Sequence, residues 1–148
     1  MKILLDADSC PKPARELVLR RAEKLSIRLI FAANRQIPCS EYAEMEICPA
    51  GDNSADDRIA ELAERGDLII TRDVPLAKRL VEKETTVLDD RGRIFNKNNI
   101  NELLSVRNFT VALAENGLGI ERTANYGRKE LKKFADSLDK TLTRINTR

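Results

Sequence analysis

The segment KILLDADSCPKPARELVLRRAEKL, residues 2–25, contains the unit on which the fold prediction rests. It opens with a short apolar run from Lys2 to Asp6, which is typical of a buried strand. A helix is predicted from about Pro11, because proline is tolerated in a first turn and apolar residues then recur close to the 3.6-residue period. The segment therefore predicts a strand followed by a helix, with acidic residues at the junction.

The same alternation continues along the chain. Further strands are predicted at residues 27–33, 44–48, 68–71 and 85–88, and further helices at residues 55–65, from Pro75 and from about residue 99. Strands separated by helices require parallel crossovers, so the pattern predicts an α/β fold. We expect three α/β/α layers around a mainly parallel sheet of about five strands. Residues 1–148 are interpreted as one domain, with the C-terminal helical segment packed on it.

Composition excludes several classes of protein. The 148 residues include 42% hydrophobic and 34% charged residues, and no apolar run approaches the roughly 18 residues of a transmembrane helix. The acidic residue at position 6 disfavours a secretory segment, so we expect a cytoplasmic location and no membrane partner. Histidine is absent, which excludes Ser-His-Asp and Cys-His triads. The three cysteines have no CxxC spacing, which indicates reduced thiols rather than a zinc site.

Charge is distributed unevenly along the chain. The 26 Lys and Arg and 24 Asp and Glu residues give a net charge of +2. Residues 120–148 carry eight basic and four acidic residues, a net of +4, which leaves the rest of the chain at −2. An acidic body with a basic tail suits a metal site that must meet a polyanion. The alternative is a solvated helix face.

Carboxylates follow several of the predicted strands. Because ligands of open α/β sheets bind outside the carboxyl ends of the strands, these residues should share one edge. Clustered carboxylates repel one another unless a cation compensates them, and Mg²⁺ or Mn²⁺ prefer oxygen ligands of this kind. The predicted metal ligands are Asp6, Asp8, Asp56, Asp57, Asp73 and Asp89.

Helix capping is the structural alternative for these residues. Asp73 could cap the helix that begins around Pro75. Ser54 followed three residues later by Asp57 resembles a capping box, which would give Asp57 a structural role. Helical phase, at about 100° per residue, places Asp56 beside the buried Ile59 face and points Asp57 away from it. Asp56 is therefore the preferred inward carboxylate.

Four stretches resemble the bacterial YaiI/YqxD family of uncharacterised proteins. They are DADSCPKPARELV from Asp6, CPAGDNSADDRIAELAERGDLIITRDVPLAKRLVEK from Cys48, VLDDRGRIFNKNNINELLSVR from Val87 and YGRKELKKFADSLDKTL from Tyr126. The one visible departure follows Gly117 and Gly119, where residues 123–127 read TANYG instead of a Gly-rich, Pro-containing stretch.

The family is considered similar to PIN-like nuclease domains, and this resemblance implies a site. Asp6 matches the aspartate that ends the first strand, Asp56 the acidic residue of the central helix, and Asp73 the aspartate after a threonine. Asp89 or Asp90 is a looser match to the last acidic position. PIN sheets place the first and fourth strands side by side, which would bring Asp6 and Asp73 together.

The first hypothesis is a metal-dependent ribonuclease with Asp6, Asp56 and Asp73 as catalytic residues. These residues would hold one or two Mg²⁺ or Mn²⁺ ions, with Asp8 and Asp57 as further or alternative ligands. The expected substrate-binding residues are Arg72, Arg91, Arg128, Lys129 and Lys132, which would contact RNA through its phosphates. For Arg72 and Arg91, taken singly, a surface ion pair is the alternative.

Two other functions compete with this hypothesis. A PIN-like module could retain the fold only to bind RNA or protein. A phosphatase of the haloacid-dehalogenase type would use Asp6-Ala7-Asp8, with Gly51-Asp52 and Asp56 as a later motif, but the acidic cluster comes early for that class.

Two features outside the acidic cluster complete the sequence predictions. An apolar stripe on the last helix comprises Leu131, Phe134, Leu138, Leu142 and Ile145. It is expected to pack on the domain, with a homodimer seam as the alternative. Cys10 precedes a helix start that would lower its thiol pKa, although a buried spacer is the preferred interpretation.

Overall fold

A computed structural model of the chain describes residues 1–38, 40–50, 54–117 and 126–146. The strands are β1 (Lys2–Asp6), β2 (Arg28–Ala33), β3 (Glu44–Ile47), β4 (Leu68–Ile70), β5 (Thr86–Leu88) and β6 (Ile94–Phe95). The helices are α1 (Lys12–Leu25), α2 (Ser54–Leu62), α3 (Val74–Val81), α4 (Ile100–Glu115) and α5 (Arg128–Asn146). Cys39, Gly51, Asp52, Gly119 and residues 123–125 lie outside the described residues.

The six strands form one sheet in the order β3-β2-β1-β4-β5-β6. All neighbours are parallel except β5 and β6. Strand β1 lies at the centre, where Leu5 is in register with Phe31 of β2 and Ile70 of β4. Its five residues are all buried, as expected for a parallel strand covered on both faces. The adjacency of the first and fourth strands, which the resemblance implied, is present.

Side chains of alternate strand residues enter two different cores, one on each face of the sheet. On one face, Leu5 and Phe31 pack with Phe134 and Leu138 of α5 and with the apolar residues of α1. On the other face, Leu4, Ile30 and Ile69 pack with α2 and α3. The predicted three-layer α/β/α architecture is confirmed.

An ion pair joins the amino ends of the two central strands. The ammonium of Lys2 lies 2.6 Å from Oδ2 of Asp67, and both side chains are buried. Asp67 also accepts hydrogen bonds from the backbone N–H groups of Lys2 and Glu64. A buried carboxylate needs this number of partners, because leaving it unpaired would cost far more than the pair gains. The pair fixes the edge of the sheet opposite to the acidic cluster.

One strand was missed, and one helix ends earlier than predicted. Strand β6 was missed, because two residues are too short for a periodic signal. Helix α2 ends at Leu62, three residues earlier than expected, and the chain turns through Gly66, whose φ is +87°. Gly66, the residue directly after the predicted helix, therefore belongs to the following turn and does not end the helix itself.

The last two helices differ sharply in burial. In α5, Phe134, Leu138 and Leu142 are buried in the core beneath the sheet, so this stripe packs on the domain and is not free to form a dimer seam. In α4 only Ile100 is buried, whereas Phe109 is 66% exposed. No helix in the described ranges is both long and apolar enough to cross a membrane.

Candidate active site

The side chain of Asp6 and the backbone of Asp73 are linked through one threonine hydroxyl. Thr71, the first residue after β4, donates its hydroxyl hydrogen to Oδ2 of Asp6 at 2.9 Å. The same Oγ1 accepts a hydrogen bond from the backbone N–H of Asp73 at 3.1 Å. Ser9 donates a second side-chain hydrogen bond to Oδ2 of Asp6 at 3.0 Å. The parallel pairing of β1 with β4 thus brings the two predicted carboxylates to one edge.

Asp56 completes this cluster from the first turn of α2. It lines a cavity of about 270 Å³ together with Asp6 and Asp8. It also lines a neighbouring cavity of about 360 Å³ together with Asp73. Asp57 is exposed and pairs with Arg79, whose Nη1 lies 2.8 Å from its Oδ1. Asp56 is therefore the α2 carboxylate that lies between Asp6 and Asp73.

Two carboxyl groups of the cluster, those of Asp6 and Asp56, hold protons more tightly than usual. The pKa of Asp56 is raised to about 7, first by burial and then by the charge of Asp73, a hydrogen bond shared with it and the charge of Asp6, while Arg79 opposes them. Burial also raises the pKa of Asp6, although the hydrogen bonds from Thr71 and Ser9 favour its ionised form. Carboxylates whose pKa is raised by burial and by neighbouring negative charge would be stabilised in their ionised form by a cation.

The donor set fits a hard divalent cation. Asp6, Asp56 and Asp73 supply only oxygen ligands, which Mg²⁺ and Mn²⁺ prefer. In the described part of the chain, no three Cys, Asp or Glu side chains converge closely enough to hold an ion as they stand. The chemistry of the residues therefore fits the ion, whereas a complete ligand shell is not preformed among them.

Two of the other predicted carboxylates already have backbone partners. Oδ2 of Asp8 accepts from the N–H of Asn34 at 2.8 Å, at the exposed rim of the smaller cavity. Oδ1 of the buried Asp89 accepts from the N–H groups of Arg91 and Arg93 at 2.9 and 2.8 Å. Asp89 therefore closes the turn between β5 and β6.

Asp73 also has the structural role that the sequence left open. Its Oδ1 accepts a hydrogen bond from the backbone N–H of Leu76 at 3.0 Å, so it is the N-cap of α3. One carboxylate oxygen can cap a helix while the group still faces Asp56 across the cavity. Capping and participation in the cluster are thus both present in Asp73.

The predicted basic residues are distributed around the same end of the sheet. Arg72 is exposed directly after Thr71. Arg91 is engaged with α5: its Nη1 lies 4.0 Å from Glu130, and its guanidinium lies 6.0 Å from the ring centre of Tyr126. The remaining three are exposed on the first turns of α5, namely Arg128, Lys129 and Lys132.

Sequence reasoning missed two arginines that line the larger cavity. Arg79 lies on α3 and Arg107 on α4, and both share that cavity with Asp56 and Asp73. Neither arginine gave a signal in the sequence. Arg79 follows Asp73 by six residues, which at about 100° per residue turns it away from the Asp73 face of the helix. The place of Arg107 depends on how α4 packs against α3.

The prediction for the pKa of Cys10 was wrong. Its pKa is raised to about 12, mainly by burial and also by the nearby charges of Asp90 and Asp6, while Arg15 and Arg72 oppose them. These effects exceed any influence of the α1 start, which lies two residues away at Lys12. Cys10 and Cys48 are both buried free thiols. The interpretation of Cys10 as a buried spacer agrees with this environment.

The comparisons with known proteins identify the family but not an activity. Residues 4–144 match the family described as "Uncharacterized BCR, YaiI/YqxD family". A UPF0178 protein of Treponema denticola is 47% identical over 97% of this chain and 93% of its own length. UPF0178 proteins of Myxococcus xanthus and Treponema pallidum are 41% and 42% identical over 98% of this chain, and over 96% and 83% of their own lengths.

The chain belongs to the YaiI/YqxD family. No solved structure matches it. The likeness to PIN domains therefore stays a resemblance of motif pattern and strand order.

Proposed function

We propose that this chain is a metal-dependent nuclease that hydrolyses RNA, with Asp6, Asp56 and Asp73 as the residues that hold Mg²⁺ or Mn²⁺. The observation that carries the proposal is the meeting of three carboxylates from β1, α2 and the α3 cap, with the pKa of Asp56 raised to about 7. Carboxyl groups whose pKa is strongly raised by burial and neighbouring charge are candidates for a functional site.

The residues around the cluster have defined roles in this proposal. The bound ion would supply positive charge to a phosphodiester oxygen and lower the pKa of an attacking water. Thr71 and Ser9 hold Asp6 in one orientation by donating to the same oxygen. The cap of α3 holds Asp73 in the same way. Exposed basic residues at the start of α5 would contact RNA through its phosphates, independently of sequence.

A non-catalytic binding module is the second candidate. It is favoured by the absence, among the described residues, of a preformed set of three ligands. It is also favoured by the cap that already occupies one oxygen of Asp73. The phosphatase hypothesis stays a prediction, because Gly51 and Asp52 lie outside the described residues.

Calorimetric titration with Mn²⁺ tests the site. We expect the wild-type chain to bind one or two ions. Asp6→Asn and Asp73→Asn should lose binding, because each removes a negative charge. Both variants keep an oxygen that can accept the local hydrogen bonds. Asp136→Asn, an exposed substitution on α5, is the matched control and should bind like the wild type.

A hydrolysis assay on labelled single-stranded RNA with Mn²⁺ tests the activity. We expect cleavage by the wild type and by Asp136→Asn, and none by the two cluster variants. Ion binding without cleavage of single-stranded or duplex RNA would reject the nuclease and leave the binding module. No binding up to millimolar Mn²⁺ would make the carboxylates helix caps and ion-pair partners.

A further inference from the structure

The larger cavity beside the acidic cluster is lined by charged residues of both signs. Its lining includes two arginines, Arg79 and Arg107, and three carboxylates, Asp56, Asp57 and Asp73. Asp56 also lines the smaller cavity of Asp6, so the two cavities are neighbours that share this residue. A ligand that fills both would place one part at the carboxylates and another part at the arginines.

The two arginines differ in how their charge is compensated. Nη1 of Arg79 lies 2.8 Å from Oδ1 of Asp57, which orients the guanidinium and offsets part of its charge. Arg107 donates to Oδ1 of its neighbour Asn108 at 3.2 Å. Within the described ranges, no carboxylate lies within 4.0 Å of the Arg107 guanidinium. Arg107 is thus an exposed cation beside the site, with its charge available to an anionic ligand.

We propose that Arg107, with Arg79 beside it, binds a phosphate of the RNA that neighbours the phosphate at the acidic cluster. This inference rests on the proposed function, because it takes RNA as the ligand. The carboxylates of the cluster repel an approaching phosphate, and a guanidinium that lines the same cavity offsets that repulsion. Arginine suits this task because its planar fork can donate two parallel hydrogen bonds to a phosphate.

The position of α4 supports the inference. Only Ile100 of this helix is buried, so most of the helix stands out from the two cores. The ammonium of Lys78 on α3 lies 2.8 Å from Oδ1 of Asn101, which ties the start of α4 to the helix that carries Arg79. Arg107 lines the same cavity as Asp73, Pro75 and Leu76 at the start of α3.

Binding of a fluorescein-labelled single-stranded RNA of about 12 nucleotides, measured by anisotropy in EDTA, tests the inference without catalysis. Arg107→Gln is expected to weaken binding about tenfold, since a charge-assisted hydrogen-bond pair is lost. The slope of log K against log salt should fall by about 0.7, the value for one single-strand phosphate. Arg107→Lys should retain the slope and lose only part of the affinity.

Arg65→Gln is the matched control. Arg65 is an exposed arginine at the opposite edge of the sheet, where it pairs with Glu84 at 3.0 Å. This variant should bind RNA like the wild type, and circular dichroism should show the same thermal midpoint for all variants. If Arg107→Gln binds as well as Arg65→Gln, or if the wild type does not bind RNA, the inference is overturned.

Cleavage with Mn²⁺, assayed separately, distinguishes failure of the inference from failure of the proposed function. Binding that depends on Arg107 without any cleavage would support the arginine site and reject the nuclease. Cleavage that is abolished by Asp6→Asn but unchanged by Arg107→Gln at subsaturating RNA would support the nuclease and overturn the role of Arg107.

Discussion

Asp73 combines two roles that a pair of substitutions can separate. Asparagine retains an oxygen acceptor for the Leu76 N–H and is as good an N-cap as aspartate, whereas alanine has no acceptor. In metal-free buffer, Asp73→Asn should therefore keep or raise the free energy of unfolding, because repulsion with Asp56 is removed. Asp73→Ala should cost about 1 kcal/mol, the value of a lost cap. Urea unfolding measures both.

Mn²⁺ binding should be lost in both variants, since each removes the charge. If Asp73→Asn bound Mn²⁺ as the wild type does, the residue would be a cap alone. If Asp73→Asn were as unstable as Asp73→Ala, the hydrogen bond from the Leu76 N–H to Asp73, at 3.0 Å, would not be what stabilises α3.

Asp56 predicts an unusual dependence of stability on pH. Its folded-state pKa is about 7, above the ordinary value of 3.8, so the folded chain binds more protons than the unfolded chain between these values. The free energy of unfolding must then fall as pH rises through this window and level off above it. We expect the thermal midpoint in EDTA to fall between pH 5 and pH 8, because ionised Asp56 is partly buried and lies near the charges of Asp73 and Asp6, while Arg79 opposes them.

Asp56→Asn should remove most of this fall. A smaller slope should remain, because burial also raises the pKa of Asp6 and Asp90. Asp136→Asn is the control, because this exposed residue of α5 lines neither cavity of the acidic cluster. Thermal denaturation at several pH values compares the variants, and equal slopes in wild type and Asp56→Asn would contradict the assignment.

At the scale of elements, the turn between β5 and β6 packs closely against α5. Gly92 has φ +91°, and a Cβ there would lie 2.6 Å from the carbonyl oxygen of Lys133. Ser137 donates a hydrogen bond to the carbonyl of Gly92 at 2.8 Å. The turn can adopt this conformation because Asp89 accepts two of its backbone N–H groups. Glycine at this position is what allows the helix to approach the sheet.

Gly92→Ala should therefore be more destabilising than Gly66→Ala. Gly66 has φ +87°, but nothing lies within 4 Å of its Cβ position, so alanine there adds backbone strain of about 1–2 kcal/mol and no collision. Gly92→Ala adds to similar strain an overpacking cost of about 1–3 kcal/mol. Urea unfolding of the two variants measures the difference, and equal losses would show that α5 can shift away without cost.

Elements with strong periodicity were predictable, and those defined by tertiary contacts were not. The apolar runs of β1 and β4 and the 3.6-residue pattern of α1 gave their positions to within a few residues. Strand β6 has only two residues, which pair with β5 because the Asp89 turn directs them back. No periodic pattern could have indicated them.

At the scale of the whole molecule, the parallel sheet explains which parts of the site were predictable. Carboxyl ends of parallel strands must share an edge, so Asp6 and the residues after β4 had to be near one another. Helical phase selected Asp56 over Asp57. The place of Arg107 in the larger cavity could not be derived, because it depends on how α4 packs against α3. The engagement of Asp89 by its own turn was also invisible, since a strand-end aspartate can face either way.

Substitution of two phenylalanines tests which helices contribute to the free energy of unfolding of the domain. Phe134 of α5 is fully buried in the core shared with α1, whereas Phe109 of α4 is 66% exposed. Phe134→Ala should cost about 3–5 kcal/mol, a large part of the roughly 5–15 kcal/mol that stabilises a domain. Phe109→Ala should change the free energy of unfolding by less than about 0.5 kcal/mol.

Urea unfolding at two protein concentrations distinguishes the origins of any larger loss in Phe109→Ala. A loss that is independent of concentration would place Phe109 in a core of its own chain, contrary to its exposure. A loss that grows with protein concentration would mean that a second copy covers the side chain, because only an intermolecular contact obeys mass action. The homodimer prediction would then move from α5, whose stripe is already buried, to α4. A negligible loss at both concentrations would show α4 to be an exposed helix that carries Arg107.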